Sequence, residues 1–216
     1  MSASGIIFSN IHDNNIPELT RMRTVASVPF ACRYRFIDFT LSNMVNSNIY
    51  NISVITHNNY QSLMDHIGTG KDWDLARRSG GIKILPPFIT AYDAKATNSL
   101  YSTRLEALLG VTNFISRSNE DVIVLSDCDT ICNIDITKVL KRHEETGADI
   151  TIVTKRIDDG SYNAERHSVL VLDDDDKILD SAEFSREVKG SFDVSTNIMV
   201  INRNYLITVL NDAAAH

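Results

Sequence analysis

Glycine is missing where this chain would most be expected to use it: none occurs from Ser9 to Pro29. That stretch follows an apolar strand and leaves through Val28-Pro29-Phe30, the layout of a loop that grips phosphates. Such a loop brings backbone N–H groups close to its ligand, and it needs glycine's positive φ and absent Cβ to do so. The segment Ser9-Asn10-Ile11-His12-Asp13-Asn14-Asn15-Ile16-Pro17 therefore cannot wrap a triphosphate in the ordinary way. Cysteine is also scarce. Cys32, Cys128 and Cys132 form no C-x-x-C pair and are odd in number, which argues against a disulfide framework or a zinc site and for reduced thiols. No apolar run approaches ~18 residues and no signal-type segment precedes Gly5-Ile6-Ile7-Phe8, so the expectation is a cytoplasmic protein without a membrane partner. Basic residues are in deficit, 21 against 28 acidic, for a net charge of −7 and a pI near 5.3. That balance disfavours a nucleic-acid partner. His12, His57, His66, His143 and His167 show no metal-ligand spacing, and no G-x-S-x-G motif occurs, so each histidine reads as a surface or core residue.

What the chain does contain is a strand–helix alternation. Apolar runs of strand length recur at Gly5–Ser9, Ile52–Thr56, Gly81–Leu85, Val122–Ser126, Ile150–Thr154, Val169–Leu172 and Val194–Asn202. Helical spacing joins Ile37, Leu41, Met44 and Val45, then Leu105, Leu108 and Leu109, then Ile136, Val139 and Leu140. Together they predict an α/β, Rossmann-like fold: a mainly parallel mixed sheet flanked by helices. With 216 residues and 43% hydrophobic side chains, one globular domain is expected. Asp173 to Asp176 reads as the solvated tip of a hairpin between Val169–Leu172 and Ile178–Ala182. A last helical pattern, Leu206–His216, reads as cut, the front part of a longer protein. Ligands of open α/β sheets sit beyond the carboxyl ends of the strands, here the loops after Phe8, Thr56, Leu85 and Leu125.

The block from Val28 to Ser47, V-P-F-A-C-R-Y-R-F-I-D-F-T-L-S-N-M-V-N-S, resembles the signature that follows the nucleotide loop of bacterial ADP-glucose pyrophosphorylases (glucose-1-phosphate adenylyltransferases). Ser62-Leu63 with His66-Ile67, Ile84-Leu85-Pro86-Pro87, Leu125-Ser126 with Asp135, Gly147-Ala148-Asp149 and Ser195 continue the match in order. The resemblance implies a nucleotide-diphospho-sugar transferase fold over residues 1–216, truncated at its C-terminal end and without the left-handed β-helix domain that follows in the family.

The departures from the family are as informative as the matches. Its A-G-G-x-G-T-R-L loop aligns without a gap. The glycines fall on Asn10, Ile11 and Asp13, the arginine on Asn15, and a following lysine on Val25, so both cations that stabilise the reacting phosphates are replaced. The G-T-A-D stretch falls on Thr103-Arg104-Leu105-Glu106, where arginine and leucine would crowd a base, and the adenine-reading glutamine falls on His57. The resemblance places Asp127 or Asp129 where a carboxylate meets magnesium. It places Glu183 and Ser195 where glucose 1-phosphate is held, with the family's phosphate-binding lysine replaced by Phe184.

A kept scaffold with both phosphate grips erased resembles the GlgD-type regulatory subunit of the family. The implied function is a catalytically deficient subunit of glucose-1-phosphate adenylyltransferase in glycogen biosynthesis. It would act through a catalytic partner subunit, with a homo-oligomer also open. No cofactor is expected, apart from Mg2+ should family activity remain. Two alternatives stand beside it: an active nucleotidyltransferase using Arg21, Arg23 or Lys155 as relocated cations, and a non-catalytic sensor of a sugar phosphate or other anion.

Overall fold

The computed structural model describes residues 1–86, 101–158, 168–183 and 191–215. Within the stretch that the sequence reads as one domain, contacts gather into two units, Met1–Thr151 with Val200–His216, and Ile152–Met199.

The first unit is built on a parallel sheet. β1 (Ala3–Phe8) ends at the glycine-free loop. A small antiparallel hairpin, β2 (Pro29–Phe30) and β3 (Tyr34–Arg35), precedes α2 (Phe36–Asn46), while α1 (Pro17–Thr20) lies within the loop itself. β4 (Asn51–Ile55) and β6 (Val122–Asp127) flank β1, both parallel to it, and β5 (Gly81–Leu85) pairs with β4. Every residue of β6 is buried, the mark of a strand covered on both faces. The covering helices are α2, α3 (Gln61–Ile67), α4 (Arg104–Leu109), α5 (Thr112–Ser116), α6 (Ile136–Thr146) and α7 (Arg203–Ala215). Ile37, Leu41 and Met44 form the buried stripe of α2, and it seats close enough that a Cβ on Gly5 would stand 2.5 Å from Met44 Sδ.

The register that matters most places Phe8 opposite Asp127. It sets the loop after β1 beside the carboxyl end of β6, where the sequence predicts ligands.

The second unit is antiparallel. β8 (Ser168–Leu172) and β9 (Ile178–Glu183) form the expected hairpin, β10 (Phe192–Asn202) pairs with β8 through Asp193 and Val194, and β7 (Ile150–Ile157) pairs with β10. Among its described residues, Val169, Phe192 and Val194 form a buried cluster with Ile157 against them. At the hairpin tip, Asp173 Oδ1 accepts from the N–H groups of Asp175 (3.0 Å) and Lys177 (2.8 Å), an Asx turn, as the acidic run predicts.

The block that carries the family resemblance is a packing device. Asp38 Oδ2 accepts from Arg35 N (3.0 Å) to cap α2, and its Oδ1 lies 2.6 Å from His66 Nε2. Arg35 donates through Nη1 to Ser62 Oγ (2.6 Å) and to the carbonyls of Ser27 and Ser62 (3.2 and 3.0 Å). One arginine thus binds the loop exit to α3. Trp73, in a short 3-10 turn, packs edge-on to His66 with ring centroids 6.0 Å apart.

Candidate functional site

The loop after β1 is filled with its own side chains. Asn10, at a family glycine position, is only 3% exposed. Its Oδ1 accepts from Ser9 Oγ (2.6 Å), Thr56 Oγ1 (2.9 Å) and His57 N (3.1 Å), and its Nδ2 donates to Asp13 Oδ2 (2.8 Å). Asp13, also at a glycine position, accepts from Val25 N through Oδ1 (2.7 Å), and Thr20 Oγ1 donates to its carbonyl (2.6 Å). Burial pushes the Asp13 carboxyl above its ordinary value, against the pull of Asn10 and Val25 N. A carboxylate therefore stands inside the loop and takes N–H and amide donors of the kind that would otherwise face phosphate oxygens.

The two positions at which the resemblance places the family's cations differ in environment. Asn15 closes an exposed 3-10 turn, Asp13–Asn15, and Val25 opens a buried one, Val25–Ser27, with its side chain 3% exposed. Arg21 and Arg23 lie at and just beyond the end of α1, with Arg21 exposed and Arg23 half-buried.

At the end of β6 the structure brings Asp127 and Asp129 together with two residues that the spacing argument passed over. Arg104 Nε donates to Asp127 Oδ1 at 2.9 Å, and its Nη2 closes a second, charge-assisted contact on Oδ2. His12 stands between the carboxylates, its Nδ1 2.5 Å from Asp129 Oδ2 and its Nε2 3.8 Å from Asp127 Oδ2. Arg104 Nη2 is 3.4 Å from His12 Nε2. One correction follows: His12 is a partner of both acids and not a plain surface or core histidine. Arg104 turns onto Asp127. Both depend on tertiary placement: Phe8 opposite Asp127 brings the β1 loop alongside, and the capping box of α4 aims Arg104. In that box Thr103 Oγ1 accepts from Glu106 N (3.2 Å), and Glu106 Oε2 accepts from Thr103 N (3.0 Å) and Ser102 N (2.7 Å). The signal that could have found them is charge: two acids at a buried strand end require compensating cations.

The electrostatics of the cluster agree with this pairing. The bond to Asp129 raises the His12 imidazole above its ordinary value despite burial, with both carboxylates adding and Arg104 opposing. At Asp129 burial pushes upward, but His12 prevails and the carboxyl is lowered. Burial lifts the Asp127 carboxyl in spite of Arg104, whereas burial at Arg104 is outweighed by Asp127 and Asp129, which leave it raised. The Arg104 guanidinium does not deprotonate in a protein and lies bidentate on a carboxylate 2% exposed, so the pair is ionic.

Magnesium takes about six oxygens at ~2.0–2.1 Å. Here both Asp127 oxygens hold Arg104 and one Asp129 oxygen holds His12, so the residues as folded do not fit that ion.

The remaining sequence-derived residues stand elsewhere. Ser195 lies in β10 of the second unit, 6% exposed, its Oγ accepting from Asn197 N (3.1 Å). Glu183 ends β9, its side chain outside the described residues, as are Phe184 and His167. His57 packs edge-on to Tyr101, centroids 4.7 Å apart, and burial lowers its ring from the ordinary value.

Comparison with known proteins decides the family. The model of nucleotidyl transferases matches residues 16–186. This chain belongs to the nucleotidyl transferase family. Within that family it is 39% identical over 151 residues to the glycogen biosynthesis protein GlgD of Bacillus subtilis, a match covering 69% of this chain and 42% of that protein. It is 33% identical over 207 residues to the glucose-1-phosphate adenylyltransferase of Fervidobacterium nodosum, covering 95% of this chain and 48% of the relative. The chain thus spans about half the length of the curated relatives it matches. The crystal structure of a putative glucose-1-phosphate thymidylyltransferase from Bacillus anthracis, in complex with a sucrose, superposes with a TM-score of 0.72 at 17% identity, covering 95% of this chain and 73% of that one. That likeness establishes the nucleotide-sugar transferase fold. Among the described residues no helix is long and apolar enough to cross a membrane.

Proposed function

We propose that this chain is the nucleotidyltransferase-like part of a regulatory, catalytically deficient subunit in glycogen biosynthesis. It acts in the cytoplasm beside a catalytic glucose-1-phosphate adenylyltransferase subunit, which converts ATP and glucose 1-phosphate to ADP-glucose and pyrophosphate. The observation that carries the reading is the Asn10–Asp13 side-chain network inside the loop after β1. A triphosphate entering there meets a carboxylate in place of open amides, with asparagine and a buried valine where the family has its arginine and lysine. Losing one preorganised donor costs on the order of 10²–10³ in rate. Losing two with the cradle costs ~10⁴ or more, although such losses are not additive. No magnesium is required by the subunit itself, and its work is done through contact with the partner. The relatives' names support the pathway, and the packing role of the Val28–Ser47 block supports a scaffold kept for structure.

The test is pyrophosphate release by the full-length subunit, alone and mixed with the catalytic one. Alone it shows no turnover above background, and in the mixture it alters the partner's rate or effector response. Turnover by the isolated subunit at roughly 1–10³ per second, the range of ordinary enzymes, ends the proposal.

A further inference from the structure

We propose that the Arg104 guanidinium is the resident cation of this site, seated where a divalent metal shared by Asp127 and His12 would lie. The folded chain then excludes such an ion, and α4 is fastened to the end of β6 by charge. The inference stands on the ion pairs alone, so it can fail while the regulatory reading survives.

The geometry is specific. Asp127 Oδ2 and His12 Nε2 are 3.8 Å apart, a separation that one ion at ~2.1 Å from each would bridge. Arg104 Nη2 touches both atoms, bonded to Oδ2 and 3.4 Å from Nε2, so the guanidinium occupies the position of that ion. Ligand atoms of His12, Asp127 and Asp129 all lie within 4.8 Å of one another, a set of one imidazole and two carboxylates. Without Arg104, that set offers mixed N and O donors to a divalent first-row ion, for which paramagnetic Mn2+ is the probe. With it, both oxygens of Asp127 are already held by a fixed positive charge, and a divalent ion brought to the same place would be repelled. The arginine has the right chemistry for permanence: it remains charged, and its planar fork meets a carboxylate at two points. The capping box at Thr103–Glu106 fixes its first-turn position, so seating it costs little disorder.

Mn2+ titration of the 216-residue chain, followed by electron paramagnetic resonance of the free ion, tests this. The wild-type chain shows no stoichiometric uptake. Arg104→Ala gains one Mn2+ with affinity higher by about tenfold or more. Adding Asp127→Asn to that variant abolishes the gain. Arg104→Ala also melts at a lower temperature than wild type without metal and recovers when Mn2+ is added, whereas the melting temperature of wild type does not move. Should the alanine variant unfold, Arg104→Gln gives the same reading, because its amide keeps donors toward Asp127 and removes only the charge. The inference is overturned by wild-type uptake of one Mn2+ that Asp127→Asn removes, or by folded Arg104 variants that bind no better than wild type.

Discussion

Val25 and His12 show how a single position carries consequences that its residue type does not announce. The sequence resemblance puts a lysine of the family at Val25, and here that side chain is 3% exposed and packed in the main core. Reinstating the cation by Val25→Lys buries an unpaired ammonium and is expected to cost at least about 3 kcal/mol. That is a fall in melting temperature of about 6 °C or more for a chain of this size. Asn15→Arg, on an exposed turn, should change stability by less than about 0.5 kcal/mol, and neither change should create turnover. Thermal unfolding of the two variants checks the contrast. His12 gives a pH signature. Its folded value lies above the ordinary 6.5, so the stability it lends is fully present below pH 6.5 and is lost as pH rises through the raised value. Asp129 is lowered from 3.8, so its share is present above pH 3.8 and is lost only as pH falls through the lowered value. The pair therefore contributes most between those limits. An NMR titration should place the His12 imidazole above 6.5, and Asp129→Asn should bring it down, since the bond to Asp129 is the chief cause of the rise.

At the scale of elements, the β2–β3 hairpin turns through Ala31 and Cys32 with φ of 48° and 71°, left-handed values that side chains resist. Each costs roughly 1–2 kcal/mol in strain. Glycine would relieve it but free the unfolded chain by about 0.4–1 kcal/mol per site. The double variant Ala31→Gly/Cys32→Gly should gain about 1 kcal/mol net, read as a higher urea midpoint with an unchanged slope. Helix α4 makes a different point. Its start is legible in Ser102-Thr103 and Glu106 as a capping box, but its function is not, because Arg104 finds Asp127 only when α4 and β6 meet. The parallel strands were readable from their Ile and Val runs, and the acidic hairpin tip from its charge. The β2–β3 hairpin was not, for two-residue strands leave no period to read.

At the scale of the whole molecule, the buried cluster among the described residues of the second unit is Val169, Phe192 and Val194, while the first has β1, β4 and β6 sealed under α2 and its neighbours. Backbone amides of β8 and β9 should therefore exchange with deuterium faster than those of β1 and β6, and equal protection would contradict this ranking. The sequence by itself determined the strand–helix order, the parallel sheet, the family and the absence of glycine from the loop after β1, because periodicity and residue type are local properties. Only the tertiary structure decided what fills the space left behind. Asn10 and Asp13 close on each other and on Val25 N, and Arg104 and His12 close on Asp127 and Asp129. The residues of that charge cluster are up to 117 positions apart, and opposite charges at such separations are paired by strand register and helix packing, which no local pattern records.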